Sequence, residues 1–449
     1  MFTSKLFEHQ LEMIEFMRAH AEGVALFSHM GTGKTRTVIA RLDELFFSKS
    51  IRKALVVAPK SILRNWEYEI QDSSDLTCTI LTDEHADLSA QIHIINYDMV
   101  HKHSLYLQDS KYDCMVLDES TYIKNRVSKR TKAVYAVSKG IKYKIIMTGT
   151  PITQSVQDIY SQYLILDGGK TFGTSLAEFR KLYMYNVSKT VKFPIWVDRK
   201  SMLPTLKEKM YSLGITPDAS KIKLPEKIKK LITVSLSPEQ RRVYNDIFEK
   251  DIATLDMSKL SAQEILTKYT KFRQICSGFF IDDNRHIKDF DINPKLEELL
   301  YQLSSLKDKK VVIWRNFVHE KELLISNIKD LIVFDDNPFD IISEFNKTKS
   351  GVVAVASLSQ IKFGLNIHAD VAIYFGNTFS FSDREQSEAR HIRINSPNSS
   401  VLYLDIISEN SIDETIFNFQ RKRKDISDTV LKRPKDILFG HGLTDSQTE

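Results

Sequence analysis

The sequence predicts an α/β fold of two tandem, doubly wound parallel-sheet lobes with helical insertions. Three observations predict it. Short apolar runs alternate with helix-patterned stretches in both halves of the chain, as βαβ units require. A glycine turn, Ser28-His29-Met30-Gly31-Thr32-Gly33-Lys34-Thr35, joins an apolar run to a helical one. About 80 residues later another apolar run ends in paired acids, Asp118-Glu119.

At 449 residues the chain is too long for one core and suggests roughly two to three domains. Its 42% hydrophobic and 27% charged residues are those of an ordinary globular protein. No run of about 18 apolar residues occurs, so no membrane span is expected. The first ten residues lack the apolar core of a secretory leader. Cys78, Cys114 and Cys276 lie far apart with no metal-type spacing; they read as reduced thiols of an intracellular protein. The histidines are scattered, and none is assigned to metal or catalysis. The net charge of +5 is unevenly spread: Lys170 to Lys230 holds 14 Lys/Arg against 5 Asp/Glu. Such a segment is the footprint of a polyanion partner or a solvated helical surface, and composition leaves both open.

In chain order, residues 5–20 place Leu6, Leu11, Ile14 and Met17 at helical spacing, with Gln10 among them. Val24 to Phe27 reads as a buried strand, and Thr37 to Ala40 continues the helix that follows the glycine turn. Strand, glycine turn and helix together make a phosphate cradle: the glycines let backbone amides close on oxygens, and the helix N-terminus presents its positive end. Met30, Gly31, Thr32, Gly33, Lys34 and Thr35 form that cradle. Lys34 would reach β- and γ-phosphates, and the Thr35 hydroxyl would hold Mg²⁺. Ser28 stands where the generic pattern has glycine. Further strands are predicted at 54–58, stopped by Pro59, and at 78–81, 92–97, 113–118 and 143–148. At a strand's C-terminal end, the acid pair faces the ligand crevice. One acid can hold the metal, and the other can take a proton from attacking water.

Strands expected at 310–315, 331–335, 351–356, 371–376 and 400–406 make a second lobe without a phosphate loop. Arg390 and Arg393, three apart, would share a helix face, and their permanent charge suits a leaving phosphate. The expected divisions are residues 1–169, the nucleotide lobe; 170–230, a basic helical insertion; 231–295, a helical insertion or linker; 296–435, the second lobe; and 436–449, a polar tail. Phe172, Phe179, Tyr183, Tyr185, Phe193 and Trp196 interleave with the basic residues. They could grip DNA or form a small core, the preferred reading for most of them. The basic run 421–424 reads as a solvated helix face.

The order of motifs resembles superfamily 2 helicases, and the details resemble their Swi/Snf-type branch. The carrying residues are Met30-Gly-Thr-Gly-Lys-Thr35, Ala58-Pro-Lys-Ser-Ile-Leu-Arg-Asn-Trp66, Asp118-Glu-Ser-Thr-Tyr-Ile-Lys-Asn125 and Met147-Thr-Gly-Thr-Pro151. In the second half they are Phe272-Arg-Gln-Ile-Cys276, Pro294-Lys-Leu296, Ala356-Ser357, Phe363-Gly-Leu-Asn366, Gln386 to Arg393 and Ser411-Ile-Asp-Glu414. The chain departs from the family at Ser120, usually alanine, at Ala389, usually acidic, and at Asn395-Ser396, usually Gly-Gln.

The resemblance implies two RecA-like lobes using ATP and Mg²⁺. Gln10 would read the adenine edge and Gly364 would touch the nucleotide. Thr35 and Asp118 would hold the metal. Glu119 would act as the base, and Arg390 and Arg393 as arginine fingers. Pro59, Lys60, Thr148, Ser357 and Asn366 would meet nucleic acid. The implied function is a compact, monomeric, ATP-driven translocase on double-stranded DNA, gripping the backbone without sequence preference. It would be cytoplasmic in a bacterial or viral setting and nuclear in a eukaryote, with replication, recombination or repair as its setting. Two alternatives stay open: a strand-separating DNA or RNA helicase, and a nucleic-acid-binding scaffold that ATP merely switches.

Overall fold

The computed structural model describes residues 2–20, 22–28, 31–82, 87–153, 155–188, 195–218, 224–249, 262–282, 284–335, 338–358, 366–393 and 396–421. The sequence expectations for Met30, Gly364, Phe193, Asn395, 422–424 and the tail 436–449 lie outside the described residues. The chain divides into two compact units, Met1–Lys223 and Leu224–Glu449.

The first unit begins with α1 (Glu8–Ala19), β1 (Gly23–Phe27), α2 (Lys34–Phe47), β2 (Ala54–Ala58), α3 (Leu63–Ser73), β3 (Cys78–Ile80) and β4 (Ile92–Asn96). It continues through α4 (Tyr97–Lys102), α5 (Ser104–Asp109), β5 (Cys114–Asp118), α6 (Lys129–Ser138), β6 (Tyr143–Thr148) and α7 (Asp158–Asp167). After α8 (Leu176–Tyr183) and the hairpin of β7 (Met184–Asn186) and β8 (Trp196–Asp198), it closes with α9 (Leu203–Tyr211) and β9 (Gly214–Ile215). Seven strands pair in the order β3-β4-β2-β5-β6-β1-β9, all parallel.

The strands β1, β2 and β5 are buried along their whole length, which is why they read as unbroken apolar runs. Alternate side chains nevertheless serve different faces. Ala25, Phe27, Leu55 and Val57 join the core with Tyr97, Val134 and Tyr160. Val24, Leu26, Val56 and Ala58 join the other with Val38, Leu42 and Trp66. Register places Phe27 beside Thr148 and Asp118 beside Met147. The strands therefore end nearly level, and the segments that follow β1, β2, β5 and β6 gather at one sheet edge.

Residues 170–218 belong to this same unit. Phe172, Phe179 and Tyr183 pack with Tyr160 and Tyr163, so these three are core residues, but they extend the core on one face of the first sheet and do not make the separate small core that the sequence suggested. Tyr185 is exposed under the Arg199 guanidinium at 4.5 Å, and Trp196 lies 5.4 Å from that of Arg180. The expected boundary at 230 moves. Glu226–Val234 is not the end of a helical insertion but strand β10, paired over all nine residues with a strand of the second unit. Its alternating Ile228, Lys230 and Ile232 carry a two-residue period that the run of lysines obscured.

The second unit continues with α10 (Pro238–Phe248), α11 (Ala262–Cys276), the hairpin of β11 (Phe279–Ile281) and β12 (Ile287–Asp289), and α12 (Pro294–Ser304). Then come β13 (Lys310–Arg315), α13 (Val318–Asn327), β14 (Ile332–Val333), α14 (Pro338–Lys347), β15 (Val352–Ser357) and β16 (Val371–Tyr374). The last described elements are α15 (Phe381–His391), β17 (Ser400–Ser408) and α16 (Ile412–Arg421). The sheet order is β10-β17-β16-β13-β15-β14, again all parallel. Tyr244, Phe272, Ile275 and Phe290 pack with Ile412, Ile416 and Phe419 in a core of their own.

Candidate active site

The phosphate loop leaves β1 at Ser28 and enters α2 at Lys34. Gly31 and Gly33 have φ of +84° and +79°, a left-handed geometry that side chains resist. The first helical bond runs from Thr37 N–H to the Gly33 carbonyl, 3.1 Å. The amides ahead of it have no intrahelical partner, and the first turn holds no acid, so this end suits an anion. Ser28 and Thr32 join hydroxyls at 2.6 Å across the loop. The Lys34 ammonium folds back to donate to the Ser28 carbonyl at 2.6 Å. Thr35 stands half-buried in the first turn of α2.

Two neighbours on α1 brace this loop. His9 Nε2 bonds the Thr32 carbonyl at 2.9 Å, and Gln10 Nε2 donates to the Gly33 carbonyl at 3.1 Å. Gln10 Oε1 accepts the Phe7 N–H at 2.9 Å. Gln10 is nearly fully buried, with its carboxamide set against the loop; the sequence suggested an adenine contact. His9 was missed altogether. A buried His-Gln pair one short helix ahead of the loop is the signal that could have revealed it.

The acid pair closes β5. Asp118 is buried, and each of its carboxylate oxygens has a donor: Oδ1 the Glu119 N–H at 2.9 Å, Oδ2 the Trp66 indole N–H at 2.9 Å. The Tyr97 hydroxyl donates to the Asp118 carbonyl at 2.8 Å. Burial, then the charges of Asp118 and Glu119, raise the Tyr97 pKa and keep its proton in place. Glu119 adopts φ of +52°, a strained conformation costing on the order of 1–3 kcal/mol. There its Oε2 accepts from the Thr148 hydroxyl at 3.3 Å, and that hydroxyl accepts the Thr150 N–H at 3.1 Å.

Thr148 thus corrects an expectation. It is fully buried, so its side chain links Glu119 to the following loop rather than meeting a nucleic-acid strand. Ser120 also does more than replace an alanine. Its hydroxyl donates to Gln162 Oε1 at 2.6 Å, and Gln162 Nε2 donates to the carbonyls of Pro151 and Asp158, both at 2.8 Å. Pro59 is buried at the start of a single helical turn, and Lys60 beside it is exposed.

The donor types fit Mg²⁺, which favours hard oxygens and takes one or two carboxylates plus substrate phosphates rather than a dedicated cage. Among the described residues no group of three or more His, Cys, Asp or Glu could hold a metal. A hydroxyl and one carboxylate are what this site offers.

In the second unit Ser357 ends β15 and is buried, whereas Asn366 is exposed. Arg390 lies in the last turn of α15 and is nearly buried. Arg393 is not on that helix: α15 ends at His391, and Ile392 turns extended as its side chain enters the core. The shared helix face expected for the two arginines is therefore lost.

Near the helix end, His391 Nε2 accepts the Trp314 indole N–H at 3.1 Å, which leaves Nδ1 to donate to the Ile367 carbonyl at 3.2 Å. Burial lowers the His391 pKa to about 4, consistent with this neutral ring. Two helical turns earlier, Arg384 forks onto Asp405 and reaches Glu388 at 2.9 Å, while Lys229 and Lys227 of β10 approach Glu388 at 2.9 and 3.2 Å. Burial would raise Glu388, but the charges of Arg384, Lys229 and Lys227 outweigh it and hold the pKa at about 2.

The SNF2-related domain model matches residues 9–279. The chain is 27% identical to "Uncharacterized ATP-dependent helicase MG018" of Mycoplasma genitalium, over 98% of this chain and 43% of that protein. It is 25% identical to the CHD3-type chromatin-remodeling factor CHR7 of Arabidopsis thaliana, over 94% of this chain and 37% of that one. The chain thus spans less than half the length of these relatives. A solved structure, "Sulfolobus solfataricus SWI2/SNF2 ATPase core in complex with dsDNA", aligns at 22% identity and a TM-score of 0.47 over 97% of both chains. The family match runs from the buried His9-Gln10 brace through the phosphate loop and the acid pair into the second unit, and on it the chain belongs to the SNF2-related family.

Proposed function

We propose that this chain hydrolyses ATP to move along double-stranded DNA, holding the backbone without regard to sequence. The observation that supports this best is the convergence of Lys34, Asp118, Glu119 and Thr148 at the carboxyl edge of one parallel sheet. Family membership and the relatives named as helicases and remodellers point the same way.

In this reading the loop amides and Lys34 bind the β- and γ-phosphates, and Thr35 and Asp118 hold Mg²⁺. Bound there, the metal would neutralise phosphate charge. Glu119 takes a proton from water as the water oxygen bonds to the γ-phosphorus. The bond from that phosphorus to the β–γ bridging oxygen breaks, and ADP and phosphate leave. Thr148 keeps the Glu119 carboxylate aimed. Arg390, and Arg393 from its extended segment, supply charge to the leaving phosphate. Lys60 and Asn366 meet the DNA backbone. Each cycle of ATP binding and hydrolysis closes and reopens the two units on the duplex, advancing a monomer.

Steady-state hydrolysis alone and with duplex, single-stranded, forked DNA or RNA tests this function. Strong stimulation by plain blunt duplex, declining with salt, supports it. Stimulation by single strands or RNA alone refutes it in favour of unwinding, and tight ATP binding without turnover would leave a switched scaffold.

A further inference from the structure

We infer that Trp66 is a positioning residue that ties the exposed Lys60–Arg64 turn to the Asp118 carboxylate; this deepens the function proposed above. Strand β2 ends at Ala58, the buried Pro59 starts a turn over Lys60–Ile62, and α3 begins directly at Leu63. Lys60 and Arg64 are exposed on this turn and the helix start. Six residues beyond Lys60, Trp66 is fully buried, and its indole N–H is 2.9 Å from Asp118 Oδ2.

An indole has one donor and no acceptor, so this bond has one possible direction. A buried indole N–H without an acceptor is costly. The start of α3 and the Asp118 carboxylate therefore move together or lose the bond. Asp118 is also held within the first unit: Oδ1 accepts the Glu119 N–H, and its carbonyl accepts the Tyr97 hydroxyl. Trp66 is thus a tether from the second strand's exposed loop to the carboxylate proposed to hold Mg²⁺. A load on Lys60 or Arg64 that tilts α3 rotates the outward lone pairs of Oδ2. Conversely, engagement of Asp118 fixes the angle at which Lys60 is presented. Reciprocity of this kind is what linkage between two ligands requires.

The test compares Trp66→Phe with Ile70→Ala. Phenylalanine keeps most of the ring packing and removes the donor. Ile70 is fully buried on the same helix, and shortening it leaves a cavity without touching the bond to Asp118. For each protein three quantities are read: the melting temperature, the kcat and KM for ATP with blunt duplex, and the affinity for a fluorescent ATP analogue with and without saturating duplex.

The expected result for W66F is a loss of about tenfold in duplex-stimulated kcat, and a factor relating the two analogue affinities that falls to near one. KM stays within about twofold and the melting temperature within a few degrees. I70A melts lower but keeps the wild-type ratio. Wild-type kcat and ratio in W66F would overturn the inference, as would loss of the ratio in I70A in step with its stability. If the wild type itself shows no stimulation by any nucleic acid, the proposed function fails first. W66F is then judged on basal hydrolysis against Mg²⁺: a curve displaced to higher Mg²⁺ supports the tether, and an undisplaced curve overturns it.

Discussion

Replacing Gly33 by alanine should cripple ATP binding for two separable reasons. The residue sits at φ of +79°, where an L side chain costs roughly 1–2 kcal/mol. Its new Cβ would also stand 2.4 Å from Gln10 Nε2. That nitrogen ends a flexible side chain, so it can swing aside, but it then gives up its 3.1 Å bond to the Gly33 carbonyl, worth about 1 kcal/mol. Together these come to about 2–3 kcal/mol against the loop conformation that exposes the amides. At 1.4 kcal/mol per decade, G33A should bind a fluorescent ATP analogue roughly 30- to 150-fold more weakly than the wild type. The double variant G33A/Q10A keeps the strained φ and also lacks the Gln10 bond already given up in G33A, so it should bind the analogue within a few-fold of G33A, whereas Gln10→Ala alone should lose only the contribution of that bond. Binding by G33A within threefold of the wild type would refute the reasoning, because the loop would then not depend on its left-handed glycine.

Other expectations concern the acids and their supports. Glu119→Gln should retain analogue binding and lose turnover by 10²-fold or more; full turnover would remove Glu119 as the base. Arg390→Ala should likewise bind ATP while losing hydrolysis, and unchanged hydrolysis would take it out of the mechanism. Ser120→Ala strips a buried donor from Gln162 and should destabilise the first unit by about 1–3 kcal/mol, read as a lower melting temperature. Glu388 gives a pH prediction. Its folded pKa of about 2 lies below the ordinary 4.5, so its contribution is fully present above pH 4.5 and is lost as pH falls toward 2. Thermal scans from pH 7 to pH 2.5 should show that loss in the wild type and a flatter acid limb in Glu388→Gln, which is already less stable at pH 7; parallel limbs would contradict it.

The parallel sheets were legible because buried strands must be apolar throughout and end at turn residues, as Ala54–Ala58 before Pro59 shows. The phosphate loop and acid pair were legible because their chemistry needs fixed residue types at fixed places on a strand. Long-range partners were not. His9 meets Thr32 across 23 positions and Trp66 meets Asp118 across 52, and only the folded sheet brings such pairs together. Thr148 read as a nucleic-acid contact because the resemblance implied one there, and nothing local in the sequence shows its hydroxyl turned to Glu119 across 29 positions. The helix face assigned to Arg390 and Arg393 failed on Ile392, which the core draws out of helical geometry. Strand β10 was hidden by its own lysines, two of which turn out to hold Glu388.

Displacement of a third strand from a triplex on blunt-ended duplex DNA tests directly whether ATP hydrolysis drives motion along a duplex. The account predicts ATP-dependent displacement by the wild type, none by Glu119→Gln, and no separation of the underlying duplex. Duplex-stimulated hydrolysis without displacement, or separation of the duplex strands themselves, would contradict it.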